Sequence, residues 1–378
     1  MSTTTETRPG LSTLLKSKIG KLHHAPKRIA SSSRSKSSPA LLVAAHELRA
    51  KPIPSCQTML DLSILNEEEL IQTVSHLIHQ LFSISDSNLK LQRVSGALTN
   101  AVFFVTLSNK KRMLLRVYGV GCDQILDRNK ELDWLSRLSA LHIGPRLLGI
   151  FGNGRFEEYL PSTTLTPNEI RTPTISQQIA SRLKQLHSIV DTYPRTSEPL
   201  EVWANIDKWR AEQIESELNL IQLRQEIESC KAVLNQSNSP TVFAHNDTQY
   251  GNILKINGTG ELVVIDFEYA GYNPRAMDIV NHFCEWMYDY HSQSPSTMHL
   301  DQYPSREEQA RFLASYLDTE DQDQIEALMS EVAAWKMACH LFWALWGFVQ
   351  ASQSEIDFDY FHYSIQRLQA FRSELKRF

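Results

Sequence analysis

Apolar residues recur three and four apart at Leu65, Leu70, Val74, Leu77, Ile78 and Leu81. The stretch Leu60–Phe82 therefore reads as an amphipathic helix, with Glu67–Glu69 early, where the helix dipole favours acids. The pattern then changes. Leu89–Leu107 reads as two strands around the turn Ser95–Asn100 (SGALTN), and Met113–Tyr118 (MLLRVY) as a third strand, with Arg116 set among apolar neighbours. Ile125–Leu141 returns to helical spacing and carries Glu131 in its middle. Ile150–Leu160 reads as a strand leading into a crossover. Beyond it, Ile175–Val190, Trp203–Cys230, Ile325–Ala351 and Tyr360–Leu375 are helical in period. Ser305-Arg306-Glu307-Glu308, after Pro304, is a capping box that opens a helix through Leu317. Ile253–Ile256 and Leu262–Ile265 are short apolar runs flanking Asn257-Gly258 and Gly260, which predicts a hairpin. Strands thus concentrate between residues 89 and 160, and helices dominate afterwards. That is a two-lobed α+β layout with a cleft between the lobes. The divisions expected are a tail over 1–50, an N-terminal lobe over 51–158 and a C-terminal lobe over 159–378.

Composition changes this picture mainly at the N-terminus. Arg8, Lys16, Lys18, Lys21, Lys27, Arg28, Arg34, Lys36, Arg49 and Lys51 face only Glu6 and Glu47, although the whole chain carries −5. A basic, Ser-rich tail, expected to be disordered, precedes an acidic body. Lys27-Arg28-Ile29-Ala30-Ser31 resembles a site for a basophilic kinase, where phosphorylation would reverse the local charge. The five cysteines are scattered and form no C-x-x-C pair, which suits reduced thiols in a cytoplasmic protein better than a disulfide framework or a zinc site. The first residues lack a secretory apolar region. Val332–Ala351 is the longest apolar stretch; Lys336, His340 and Gln350 interrupt it, so it reads as a buried helix and no transmembrane segment is expected. No nucleic-acid partner is expected either.

The chemistry centres on Phe243–Asn252 (FAHNDTQYGN) and Leu262–Tyr269 (LVVIDFEY). His245, Asp247 and Asn252 follow the spacing H-x-D-x-x-x-x-N of a kinase catalytic loop. There an Asp faces the hydroxyl to be phosphorylated and the Asn reaches a metal. Asp266 ends the next apolar run, in the place of the second metal-binding Asp. The intervening hairpin would bring Asn252 and Asp266 to the same end, where a hard cation such as Mg²⁺ finds oxygen ligands. Small residues in the Ser95–Asn100 turn would let its backbone approach phosphates. Arg116 and Glu131 could take the parts of the phosphate-binding strand cation and its helix glutamate. Glu158 to Leu160 would offer backbone groups to an adenine.

Aromatic residues interspersed with acid fill Phe267–Tyr272, Asn281–Tyr290 and Leu341–Phe348. Aromatic faces plus a carboxylate can hold a quaternary ammonium ion, at roughly 0.5–2 kcal/mol per ring. With the segments SGALTNAVFFV, LLRVYG, LDRNKELDWLSRL, HIGPRLLGIFGNGRFEEYL and LFWALWGFVQ added to these motifs, the chain from about Leu91 onward resembles the choline/ethanolamine kinases, most of all the fungal choline kinases.

The resemblance implies a protein-kinase-like fold and ATP- and Mg²⁺-dependent phosphorylation of choline, the first step of the CDP-choline route to phosphatidylcholine. It carries the base role to Asp247, with Gln249 near the reacting groups. Metal binding goes to Asn252, Asp266 and Glu268. ATP contacts go to Ser95, Gly96, Asn100, Arg116, Glu131, Glu158 and Leu160, and the cation pocket to Tyr269, Glu285, Tyr290, Trp343, Trp346 and Tyr363. His245 is expected to brace the loop. The resemblance also suggests a homodimer. Ethanolamine kinase, a dual enzyme, another small-molecule kinase of this fold and a pseudokinase scaffold remain as alternatives; the intact aromatic set favours choline. The tail has no part in this chemistry, so a chain beginning near residue 50 is expected to keep its turnover, measured as ADP release beside the full chain.

Overall fold

The structure is a computed structural model that describes residues 52–63, 65–94, 100–119, 127–211, 220–354 and 356–378. The tail and the turn 95–99 lie outside the described residues. Helix α1 (Glu67–Phe82) starts at Asn66, whose side chain and Glu69 form a capping box. Leu60 and Leu65 precede it, so the helix is shorter than the apolar spacing suggests. Its buried face of Val74, Leu77, Ile78 and Leu81 packs on Phe103, Val105, Leu115 and Phe156. Those residues belong to an antiparallel sheet of β1 (Lys90–Val94), β2 (Asn100–Thr106), β3 (Arg112–Tyr118), β4 (Leu147–Phe151) and β5 (Gly154–Glu158). The sheet order is β1-β2-β3-β5-β4. The stretch Ile150–Leu160, expected as a strand leading into a crossover, spans the end of β4, a turn at Gly152-Asn153 and β5, the second arm of a hairpin. Helix α2 (Arg128–Ala140), capped by Asp127, follows β3.

The C-terminal half contains β6 (Ser162–Thr164), α3 (Pro167–Arg171), α4 (Pro173–His187), α5 (Glu201–Ala211) and α6 (Leu220–Leu234). The helical run expected over Trp203–Cys230 is seen in α5 and α6, and residues 212–219 between them lie outside the described residues. β7 (Thr241–Ala244), β8 (Ile253–Ile256), β9 (Leu262–Val264) and β10 (Gly271–Pro274) surround the predicted catalytic segment. β8 and β9 form the expected hairpin, with Gly258 at φ 84° and Gly260 at φ 69°, a region open to glycine. Helices α7 (Arg275–Glu285), α8 (Arg306–Leu317), α9 (Gln322–Gln353) and α10 (Tyr360–Leu375) complete the chain. The capping box at Ser305 and Glu308 is formed. Helix α9 has the length and apolarity of a membrane span, yet 78% of that window is buried inside the protein. It is a core helix packed against α10 and α7.

One core cluster fills the helical half and another the sheet half. A third joins them: Trp134, Leu135 and Leu138 of α2 meet Phe243, Phe267 and Tyr272 beside the catalytic segment. Trp134 and Phe243 lie 4.2 Å apart between ring centroids. The lobes are thus packed together directly behind the site.

Gly347 lets α9 and α10 approach closely. A Cβ there would sit 2.3 Å from Ser364 Oγ and 3.0 Å from Tyr363 Cδ1. Alanine normally favours a helix interior over glycine by about 1 kcal/mol. Here Gly347→Ala is expected to lower stability by about 1–3 kcal/mol instead, because the helices must part. Urea unfolding checks this, and a stabilised variant would show slack between α9 and α10.

Candidate active site

Strand β7 pairs with β10, and the chain leaves it at Ala244 directly into the predicted loop. Asp278, in the first turn of α7, anchors the loop. Its carboxylate accepts the backbone N–H groups of His245 (2.7 Å) and Asn246 (2.8 Å), and it meets His187 Nε2 at 3.0 Å. Burial alone would raise the Asp278 carboxyl. The bond and charge of His187, with the loop N–H groups, outweigh it and hold the group below the usual carboxylate range. Asn246 sits at φ 67°, a left-handed conformation that asparagine tolerates better than most residues. Its side chain locks it there, donating to the Tyr269 carbonyl (2.9 Å) and accepting from Asn273 (2.7 Å). His245 braces the loop as expected. Its Nε2 lies 2.9 Å from the Ile265 carbonyl, and its Nδ1 accepts the Asp247 N–H at 3.2 Å. Those partners require the proton on Nε2, and burial holds the ring below its ordinary value and neutral.

The acidic groups come together as the spacing predicts. Asn252 donates through Nδ2 to the Asp247 carbonyl (2.9 Å) and carboxylate (2.8 Å). The register Ile253↔Val264 and the bond from Ile265 N to Asn252 O set Asn252 beside Asp266. Asp266 is itself left-handed, at φ 66°. Asp247 is pushed well above the usual carboxylate range by burial, then by the charges of Glu285, Asp266 and Glu268. Glu268 is pushed up to about 7 by burial, then by Asp266 and Glu131. Ligand oxygens of Glu131, Asp266 and Glu268 lie within 4.8 Å of one another. Hard oxygen donors in mutual repulsion are a donor set that fits a divalent cation. Gln249 uses its carboxamide oxygen to cap the turn at Gly251 (2.9 Å).

The expected ion pair between Arg116 and Glu131 is not formed. Arg116 Nη1 contacts both oxygens of Asp266 at 3.2 Å, and its Nε lies 3.5 Å from Glu157. Glu131 pairs with Arg155 and Arg128, each at 2.8 Å. The sheet register explains the exchange, since Arg155 stands directly across from Arg116 and takes the helix glutamate in its place. Arg128 also bonds Glu268 at 3.3 Å. Ser95 and Gly96 lie outside the described residues, and Asn100 is described only as the backbone that opens β2. Glu158 ends β5. Its N–H donates to the Arg146 carbonyl and its carboxylate takes the Arg146 guanidinium. Leu160 follows, and its carbonyl accepts from Ser162 Oγ at 2.9 Å.

The six pocket residues do gather. Trp343 meets Tyr269 edge-on at 5.6 Å and Trp346 at 5.2 Å, and Trp346 meets Tyr363 at 6.2 Å. Tyr290 donates to Glu285 at 2.6 Å. Tyr288 stacks on Tyr290 with the rings 3° apart in plane. Sequence reasoning missed Asp278, Arg128, Arg155, Tyr288 and Arg367, which pairs with Glu285 at 2.8 Å. A faint signal existed for two of them. Asp278 interrupts the apolar run Ala276–Val280, and Arg367 falls on the apolar face of α10 between Tyr363 and Phe371.

Asp278→Asn is expected to cost about 3–5 kcal/mol at neutral pH, because a buried charged network is broken. The folded value of Asp278 is depressed. Its contribution is therefore complete above the unfolded carboxylate value of about 3.9 and is lost as pH falls through the lower folded value. Urea midpoints of wild type and variant should stay apart from pH 7 down to about 4 and converge below it.

The family model described as choline/ethanolamine kinase matches residues 91–372. A probable choline kinase from Arabidopsis thaliana is 35% identical over 301 residues, covering 75% of this chain and 86% of the relative. The choline kinase of Saccharomyces cerevisiae is 32% identical over 390 residues, covering 80% and 67%. Among solved structures, an ethanolamine kinase from Plasmodium vivax superposes with a TM-score of 0.71 at 29% identity, covering 82% of this chain and 91% of that one. The loop, the paired acids and the aromatic box lie within the matched residues of a two-lobed phosphotransferase. The chain belongs to the choline/ethanolamine kinase family.

Proposed function

We propose that the protein is a choline kinase, transferring the γ-phosphoryl group of ATP to the choline hydroxyl. The observation that carries this is the aromatic box of Tyr269, Trp343, Trp346 and Tyr363, gathered beside a glutamate, Glu285, whose charge acts on Asp247. A trimethylammonium group has no N–H to donate, so ring faces and net negative charge are what can hold it.

The contacts support the following roles. Asp247, oriented by Asn252, takes the hydroxyl proton as the oxygen attacks. Its raised proton affinity reflects burial first and then crowding by neighbouring acids, and it ionises once positive charge enters the cleft. Asn252, Asp266 and Glu268 would hold Mg²⁺. Bound there, the cation supplies charge neutralisation to the phosphates. Arg116 would reach the nucleotide phosphates while tethered to Asp266. Glu131 supports this arm through Arg155 and Arg128 instead of touching Arg116. The turn 95–100 would cover the phosphates, and the crossover at Glu158–Leu160 would meet the adenine. The scattered free cysteines support a cytoplasmic setting. The likeness to an ethanolamine kinase structure supports dual activity as a second reading.

Steady-state ADP release with Mg·ATP, comparing choline and ethanolamine at equal subsaturating concentrations, tests the assignment. A clear preference for choline is expected; a preference for ethanolamine would overturn it. Asp247→Ala should lower kcat by roughly 10²–10⁴ with ATP affinity largely kept. A variant that retained half the wild-type rate would remove Asp247 from the mechanism.

A further inference from the structure

Arg367 is a cation with no exposed surface beside a pocket meant for a cationic substrate. Such a charge opposes substrate binding unless it is fully paired. Its Nη2 donates to Glu285 Oε1 at 2.8 Å, and its guanidinium packs over the rings of Tyr288 and Tyr363 at 4.7 and 5.2 Å. The neighbouring His340 ring, 3.4 Å from Nη1, is kept uncharged by burial and by Arg367 itself. Among the described residues, Glu285 is the acid that Arg367 pairs with. The other oxygen of Glu285 accepts the Tyr290 hydroxyl at 2.6 Å. Both carboxylate oxygens are therefore engaged by the protein.

Two further acceptors at the box are engaged in the same way. Asn281 Oδ1 accepts Trp343 Nε1 at 2.6 Å, and the Tyr269 hydroxyl accepts Trp346 Nε1 at 2.8 Å. A quaternary ammonium needs none of these oxygens. A primary ammonium must replace the water it leaves, and each unreplaced hydrogen bond costs about 1–3 kcal/mol.

We propose that Arg367 is a specificity-determining residue that withholds the Glu285 oxygens from hydrogen bonding with the substrate, while their charge still acts on the pocket, so that the pocket selects a quaternary over a primary ammonium. This rests on the choline-kinase reading above. Without the guanidinium, Glu285 is a buried anion in need of a donor, and the ammonium of ethanolamine can supply it.

The test is kcat/KM for choline and for ethanolamine, with Mg·ATP, in wild type, Arg367→Met, Arg367→Lys and Tyr290→Phe. Arg367→Met should shrink the choline preference by about tenfold or more, chiefly through a lower KM for ethanolamine. Arg367→Lys, which keeps the charge, should hold the wild-type ratio. Tyr290→Phe frees the second oxygen without removing a charge and should move the ratio in the same direction as Arg367→Met. It carries the test alone if Arg367→Met fails to fold by near-UV circular dichroism. A wild type that prefers ethanolamine overturns the functional reading, and this inference with it. A wild type that prefers choline, with ratios in the folded variants within about twofold of it, overturns the inference alone. So does a Lys variant that shifts as far as the Met variant.

Discussion

Mutual repulsion among buried carboxylates is the constraint around which this molecule is arranged. Asp247 feels Glu285, Asp266 and Glu268; Glu268 feels Asp266 and Glu131; Glu157 feels Asp266. A buried charge without a partner costs several kcal/mol, so each acid must be answered locally. Arg116 answers Asp266, and Arg155 with Arg128 answers Glu131. Arg367 answers Glu285. Asp278, behind the loop, is answered by backbone N–H groups and His187. Arg128 reaches Glu268 as well, and Asp247 is met by the Asn252 amide.

The lobes serve that arrangement differently. The sheet lobe supplies arginines from neighbouring strands, so their spacing is set by the ladder register, with Arg116 opposite Arg155. The helical lobe supplies the loop, the hairpin and the aromatic box. Its rigidity comes from a large core and from the close approach of α9 to α10 at Gly347. The third core cluster, centred on Trp134 and Phe243, joins the two behind the cleft. Displacement of α2 would therefore disturb both Glu131 and the packing behind the catalytic loop.

Two residues in the left-handed region, Asn246 and Asp266, flank the catalytic hairpin. Each is a short polar residue; Asn246 is tied down by Tyr269, Asn273 and Asp278, and Asp266 by Arg116. Backbone strain of this kind persists only where the surroundings over-determine it. Here it turns the chain sharply at the two points from which side chains must reach into the cleft.

Local sequence determined much of this. The 3.6 and 2.0 periods set most helices and the sheet strands, because they report how successive side chains leave the backbone. The H-x-D-x-x-x-x-N spacing and the glycine-bearing hairpin brought Asp247, Asn252 and Asp266 together, since all three lie on one short continuous segment. The Tyr360–Leu375 helix and the capping box at Ser305 were legible for the same reason. The β4–β5 turn was not read, although Gly152-Asn153-Gly154 interrupts the apolar run there. Only the tertiary structure decided which cation answers which acid. Arg116 was matched to Glu131 but pairs with Asp266, and Arg367, the partner of Glu285, and Asp278, the anchor of the loop, went unnoticed. Such pairs join residues tens of positions apart, and their choice depends on strand register and helix packing that no local period records.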